Sequence, residues 1–128
     1  MQLMSSNRPY LIRALYDWIL DNNMTPQLLV DATFEGIRVP ERHVNDGKIV
    51  LNITPGAIRD LDIGNEWVLF SARFDGNAFA IQIPINAVAA IYARENGQGM
   101  IFPEETHNDV TSEANKTTVS KPQLRVIK

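Results

Sequence analysis

Residues 67–83 read WVLFSARFDGNAFAIQI. From Trp67 to Phe74, Phe70, Ala72 and Phe74 fall on one side of an extended chain, and Leu69, Ser71 and Arg73 on the other. Side chains alternate between the faces of a strand, so this pattern predicts a β-strand with one face turned to a core. Asp75-Gly76-Asn77 supplies residues that tolerate a tight reversal, and Phe79–Ile83 resumes the extended pattern. Strand, turn and strand in so short a stretch put the chain among antiparallel β proteins.

The same signals extend outward. Leu28–Phe34 reads as a strand, Glu35-Gly36 as a turn, and Ile37–Val39 as a short return strand that Pro40 ends. Asp46-Gly47 is a strong hairpin signal ahead of Lys48–Ile53, where Ile49, Leu51 and Ile53 share one face and Val50 and Asn52 take the other. Pro55–Arg59 reads as a short helical turn. The stretch PINAVAAIYARENGQGMIF is mixed: its alanines favour helix, while Asn96-Gly97 between two apolar runs favours a hairpin. The expectation is a helical turn at about 85–89, followed by strands at Ile91–Arg94 and Met100–Phe102.

At the N-terminal end, Ser5, Ser6 and Asn7 are helix caps in waiting, and Pro9 suits a first helical turn. In PYLIRALYDWILDN, Leu11, Leu15, Trp18 and Ile19 share a face, with Ile12, Tyr16 and Leu20 as a second apolar flank. That is more apolar surface than packing on one small sheet requires. Two readings stay open on the pattern alone: a helix sunk deep in its own core, or one that also packs on a two-fold mate. The architecture expected is mainly β, a small open antiparallel barrel or sandwich with one leading helix.

Composition bounds the function. The chain has 128 residues, 45% of them apolar and 21% charged, a formal net charge of −3, no cysteine, and only His43 and His107 as histidines. Thiolate chemistry and cysteine-ligated zinc are thereby excluded, and no metal site or other cofactor is expected. No stretch reaches the ~20 apolar residues of a membrane span, and MQLMSSNRP carries no apolar signal core, so the expected location is the cytoplasm. The acidic balance argues against nonspecific nucleic-acid binding. The charge is unevenly placed: −3 for residues 1–103, −3 for 104–120 and +3 for 121–128. Residues 104–120, EETHNDVTSEANKTTVS, lack aromatics and are expected to be a disordered linker. Residues 121–128, KPQLRVIK, bring back large aliphatics beside positive charge, the pattern of a docking peptide or of a frayed end.

Catalytic constellations are scarce. His43 lies between Pro40 and Asp46 with no serine elbow in the sequence, which leaves a Ser–His hydrolase a remote alternative. Asp17/Asp21 and Asp60/Asp62 fall at helix-surface and turn positions, the usual places for solvated carboxylates. Gly97-Gln-Gly99 is too short for a phosphate loop. On chemistry alone the chain reads as a binding module rather than an enzyme.

Particular stretches carry a resemblance. RPYLIRALYDWILDN, TPQLLVDATFEGIRVP, DGKIVLNI, AIYARENGQGMIFPEE and the terminal LRVIK are similar to the stringent starvation protein B (SspB) family, over nearly all of residues 8–105 and the last eight. The resemblance implies a non-enzymatic adaptor with an Sm-like open barrel. Such a homodimer binds the ssrA tag on products of stalled ribosomes and delivers them to the protease ClpXP by docking its tail on the N-terminal domain of ClpX. It favours the two-fold reading of the helix, with Leu11, Ile12, Leu15, Tyr16 and Ile19 as interface. The domain plan becomes 1–103 for tag binding and dimerisation, 104–120 as tether and 121–128 for docking. A disordered linker of 17 residues has a reach of ~20–25 Å. The rival at this level is an Sm-like RNA-binding module, which the lack of a basic, aromatic stripe disfavours.

By the same resemblance, the tag groove lies beside residues 49–54 and 67–74, with His43, Val44, Asn52, Thr54, Ala57, Phe70, Ala72, Arg73 and Phe74 as candidates. Asn52 would pair with peptide backbone, Ala57 and Ala72 would leave room, and Arg73 would meet a tag carboxylate. Phe70 and Phe74 would form the floor, though each fits an ordinary core equally well. Arg73 falls on the opposite strand face from Phe70, so Ala72 and Arg73 share a ligand only at a groove rim. In the tail, Leu124, Arg125, Val126, Ile127 and Lys128 are the docking candidates, with Leu124 and Ile127 as aliphatic anchors.

Overall fold

A computed structural model describes residues 4–103. The expected linker at 104–120 and docking peptide at 121–128 lie outside the described residues. Helix α1 spans Arg8–Asp21, with Pro9 in its first turn. Ser6, not Asn7, makes the local cap, its hydroxyl accepting from the Arg8 N–H at 3.1 Å. Asn23, at a left-handed φ of 61°, helps turn the chain out of the helix.

Seven strands follow: β1 (Pro26–Asp31), β2 (Lys48–Asn52), β3 (Ile58–Ile63), β4 (Trp67–Phe74), β5 (Asn77–Pro84), β6 (Val88–Ala93) and β7 (Gly99–Ile101). They form a four-stranded sheet in the order β2-β1-β6-β7 and a three-stranded sheet in the order β3-β4-β5, every pairing antiparallel. The architecture is mainly β with one N-terminal helix, and the two sheets do not close into a barrel. Leu28, Val30, Ile49, Leu51 and Ile91 of the larger sheet join Val68, Phe70, Ile81 and Ile83 of the smaller in one buried cluster. No helix among the described residues is long and apolar enough to cross a membrane.

The β4–β5 hairpin forms as its sequence predicts. Phe74 pairs with Asn77 around Asp75 (φ 54°) and Gly76 (φ 83°), the two positive-φ positions that a tight, strand-matched turn requires. Asp46-Gly47 also forms a tight turn, closing Asn45 onto Lys48. Two expectations fail. Ile37–Val39 does not return along the preceding strand; Arg38 bridges Gln82 of β5, in the other sheet, by paired backbone bonds of 2.8 and 3.0 Å. The partner of β1 is β2, across the long connection 32–47. The helical turn expected over Pro55–Arg59 ends at Ala57, and strand β3 begins at Ile58. Its pairing slips between Arg59 and Asp62, and Asp60 takes a φ of 59°. A bulge of this kind interrupts the period of two that identifies a strand in sequence.

The helix corrects the expected interface. Ile12 (0% exposed) and Ile19 (2%) are packed into the protomer's own core, so they are not available to a partner in this conformation. Leu11, Leu15 and Tyr16 are half-buried, while Tyr10 and Trp18 are exposed. Buried Arg8 ties the helix start to the end of the described chain: it donates to the carbonyls of Asn86, Val88 and Pro103 and lies over the Phe102 ring.

Candidate functional site

The turn after β2 builds one wall of a cleft. The Asn52 carboxamide oxygen accepts from the Thr54 N–H at 2.9 Å, and the Ala57 N–H donates to the Thr54 carbonyl at 2.9 Å. These bonds fold Thr54–Ala57 into a compact turn and aim it at β4. There Ile58 pairs with Ala72 and Arg59 with Ser71. The resulting open cleft has a volume of about 690 Å³ and is lined by Ala57, Ile58, Arg59, Ser71, Ala72 and Arg73 among others. This lies within the usual size range of ligand sites. Ala72 and Arg73 point to opposite faces of β4 yet both line the cleft, so the strand stands at its rim. The contact Arg73 makes is weak, from its guanidinium to the Gly76 carbonyl at 3.5 Å.

Three of the candidates therefore come together: Ala57, Ala72 and Arg73. His43 and Phe74 form a neighbouring cluster at the β4–β5 turn. Their rings are 5.1 Å apart, Phe74 meets Phe79 edge-on at 6.4 Å, and His43 Nε2 is 3.3 Å from Asp75 Oδ2. Arg42 reaches the same carboxylate at 3.5 Å. These exposed pairs fasten the short 3₁₀ turn Glu41–His43 to the hairpin, and such pairs contribute little stability. Asn52 and Thr54 shape the turn through the bond from the Thr54 N–H to the Asn52 carboxamide oxygen. Val44 lines a separate hollow beside Ile37 and Val39. Phe70, expected as floor, is 4% exposed within the core.

The cleft residues missed in sequence include Ile58, Arg59, Asp60, Ser71 and Ala78. The signal for Ser71 was present, since it precedes Ala72 on a recognised strand. Arg59 and Asp60 were hidden by the bulge in β3. The shifted acidities lie outside the cleft: hydrogen bonds from Thr33 hold Asp31 below the usual carboxylate range, those from Thr25 do the same for Glu95, and burial followed by the Asp17 charge raises Tyr16.

The family model described as stringent starvation protein B matches residues 6–125. The chain belongs to the stringent starvation protein B family. A relative from Haemophilus influenzae described as a stringent starvation protein B homolog is 49% identical over 110 residues, covering 85% of this chain and 73% of that protein. SspB is an adaptor family, not a known family of enzymes. With that membership, the cleft beside the Thr54–Ala57 turn is the candidate recognition site of an SspB protein.

Proposed function

We propose that this protein is a protease-delivery adaptor that holds ssrA-tagged polypeptides in the cleft between the Thr54–Ala57 turn and β4 and brings them to ClpXP. The observation that carries the reading is the cleft itself in a chain of this family: about 690 Å³, small side chains at Ala57 and Ala72, and a guanidinium at its rim from Arg73. Small side chains leave room for an extended backbone, and an arginine with no strong internal partner meets a tag carboxylate. In this reading Leu124, Arg125, Val126, Ile127 and Lys128 dock on the N-terminal domain of ClpX, and residues 104–120 tether the tail to the domain. Holding substrate and unfoldase on one assembly turns the second encounter into an intramolecular one. Two copies of the chain, meeting through the exposed side of α1 in the cytoplasm, would double the number of tails.

Fluorescence anisotropy with a labelled ssrA peptide tests the cleft. Arg73→Gln is expected to weaken binding by about tenfold, the value of one charge-assisted hydrogen bond. Unchanged affinity refutes the placement. The double variant Leu124→Ala/Ile127→Ala is expected to keep tag binding and lose stimulated degradation by ClpXP. Normal delivery by that variant refutes the tail assignment.

A further inference from the structure

The outer face of the three-stranded sheet carries a second hollow, of about 490 Å³, lined by Arg38, Leu69, Ser71, Ala80 and Gln82. Asp60 and Ser71 line both this hollow and the cleft, so the two adjoin. Strand register fixes what surrounds the junction. Arg59 stands opposite Ser71, Ser71 opposite Ala80, Arg73 opposite Ala78, and Arg38 bridges Gln82. Three arginines thus border a floor of small side chains at Ser71, Ala78 and Ala80.

Charge differs across the sheet. β3 carries Arg59 together with Asp60 and Asp62, a net −1, with Asp62 opposite Leu69. Arg73 and Arg38 bracket the β5 side, opposite Ala78 and Gln82. From Ala78 to Gln82 is about 13 Å along the strand, the length of about four extended residues. Among the described residues, the side chains of Arg38 and Arg59 make no ion pair or hydrogen bond. In a chain of net charge −3, such a grouping of unengaged guanidinium groups over a small-residue floor is a feature that stability does not call for. β5 is also an edge strand, whose outward backbone is matched at Gln82 by Arg38. An extended chain laid beside it has backbone partners as well as cations.

We propose that this basin extends the cleft and receives an acidic stretch of the bound polypeptide, adjoining the tag and running along β5 between Arg73 and Arg38. The inference rests on the peptide-binding reading of the cleft. It adds a preference by charge: carboxylates are drawn to the β5 track, while Asp60 and Asp62 repel them from the β3 side.

The test compares labelled ssrA peptides extended at either end by tetraglutamate or by tetraserine, on the full-length protein at about 50 mM salt. At one end, the glutamate extension is expected to bind about three- to tenfold more tightly than the serine one. The advantage is expected to shrink at about 0.5 M salt, where exposed charge pairs are screened. Arg38→Gln, which removes a side chain without internal partners, is expected to abolish the advantage. Equal affinities of the two extensions at both ends, or an advantage that survives Arg38→Gln, overturn the inference while leaving tag binding intact. Tetraglutamate alone, titrated into ¹⁵N-labelled protein, separates the two readings. Shifts at Ser71, Ala78 and Ala80 without any ssrA binding uphold the basin and refute the tag reading. If an oligouridylate shifts those resonances more strongly than tetraglutamate does, the basin belongs to nucleic acid and the acidic-peptide inference falls.

Discussion

β4 and β6 are both central strands, and their burial differs throughout. β4 alternates, with Val68 and Phe70 buried and Leu69 and Arg73 exposed. In β6, Val88, Ala90, Ile91 and Ala93 are all buried, with Ala89 and Tyr92 half-covered. The reason is position: β6 lies between β1 and β7 with α1 against it, whereas β4 sits in a small sheet on whose outer face Trp67, Leu69 and Arg73 are exposed among the described residues. The covered strand holds the domain together, and the half-bare strand presents a surface. In the proposed reading recognition falls to the outer face of the smaller sheet, so substitutions on that face are expected to leave stability little changed, whereas Val68 and Phe70 on its inner face belong to the common core.

The largest expected effect on that division is on the covered side. Ile91→Ala removes a side chain that is 0% exposed at the middle of β6. A cost of about 2–5 kcal/mol is expected, read as a fall in melting temperature of about 10 °C or more. A melt shifted by less would mean that β6 is not the strand on which the core depends. Next is Gly99→Ala. A Cβ there would lie 2.0 Å from the Ile91 carbonyl oxygen and 2.5 Å from the Tyr92 Cα, so β7 must move away from β6. The expected cost is about 1–3 kcal/mol by thermal denaturation. On the open side, Ala57→Leu adds bulk at an exposed position of the cleft wall. It is expected to weaken the ssrA peptide by about tenfold while changing the melting temperature by little, a contrast that Ile91→Ala reverses. A parallel loss of stability would erase the distinction between the two sheets.

The smallest effect concerns pH. Asp31 and Glu95 both have folded-state pKa values lowered by hydrogen bonds from the threonines that flank β1, Thr33 and Thr25. A lowered carboxyl contributes stability that is complete above its unfolded pKa, near 4, and is lost as pH falls through the lowered folded value. The melting temperature is therefore expected to decline below about pH 4. Thr33→Ala, which removes the main cause of the Asp31 shift, is expected to shrink that decline by about 2 °C at most. An unchanged acid limb would mean that the Asp31–Thr33 contact carries no stability.

The same contrast explains what was legible before the fold was known. β4 was readable because one bare face preserves a period of two, and the hairpin after it because Asp75-Gly76 serves a local turn. β6 was ambiguous, since burial on both faces removes the alternation and leaves an alanine-rich run that favours helix equally well. β3 escaped because its bulge at Asp60 breaks the pattern. The bridge from Arg38 to Gln82 spans 44 positions, and no local rule anticipates such a pairing. On the helix, the pattern makes Ile12 part of a second apolar flank and the resemblance makes it interface, yet the core claims it. An apolar residue tells that it seeks cover, not which surface provides it.

For the candidate site, the residues Ala57, Ala72 and Arg73 could be named from the chain, with family resemblance supplying their role. The sequence by itself determined the antiparallel class, the leading helix, the β4–β5 hairpin and the separation of charge along the chain. All of these rest on neighbours a few positions apart. Tertiary structure alone decided that Phe70 is core, that β4 stands at a rim so that Ala72 and Arg73 share one cleft, and that the cleft of Arg59 and Arg73 adjoins the hollow of Arg38. Those facts depend on strand register and sheet order, which bring distant residues within a few ångströms and are fixed by how the whole core packs.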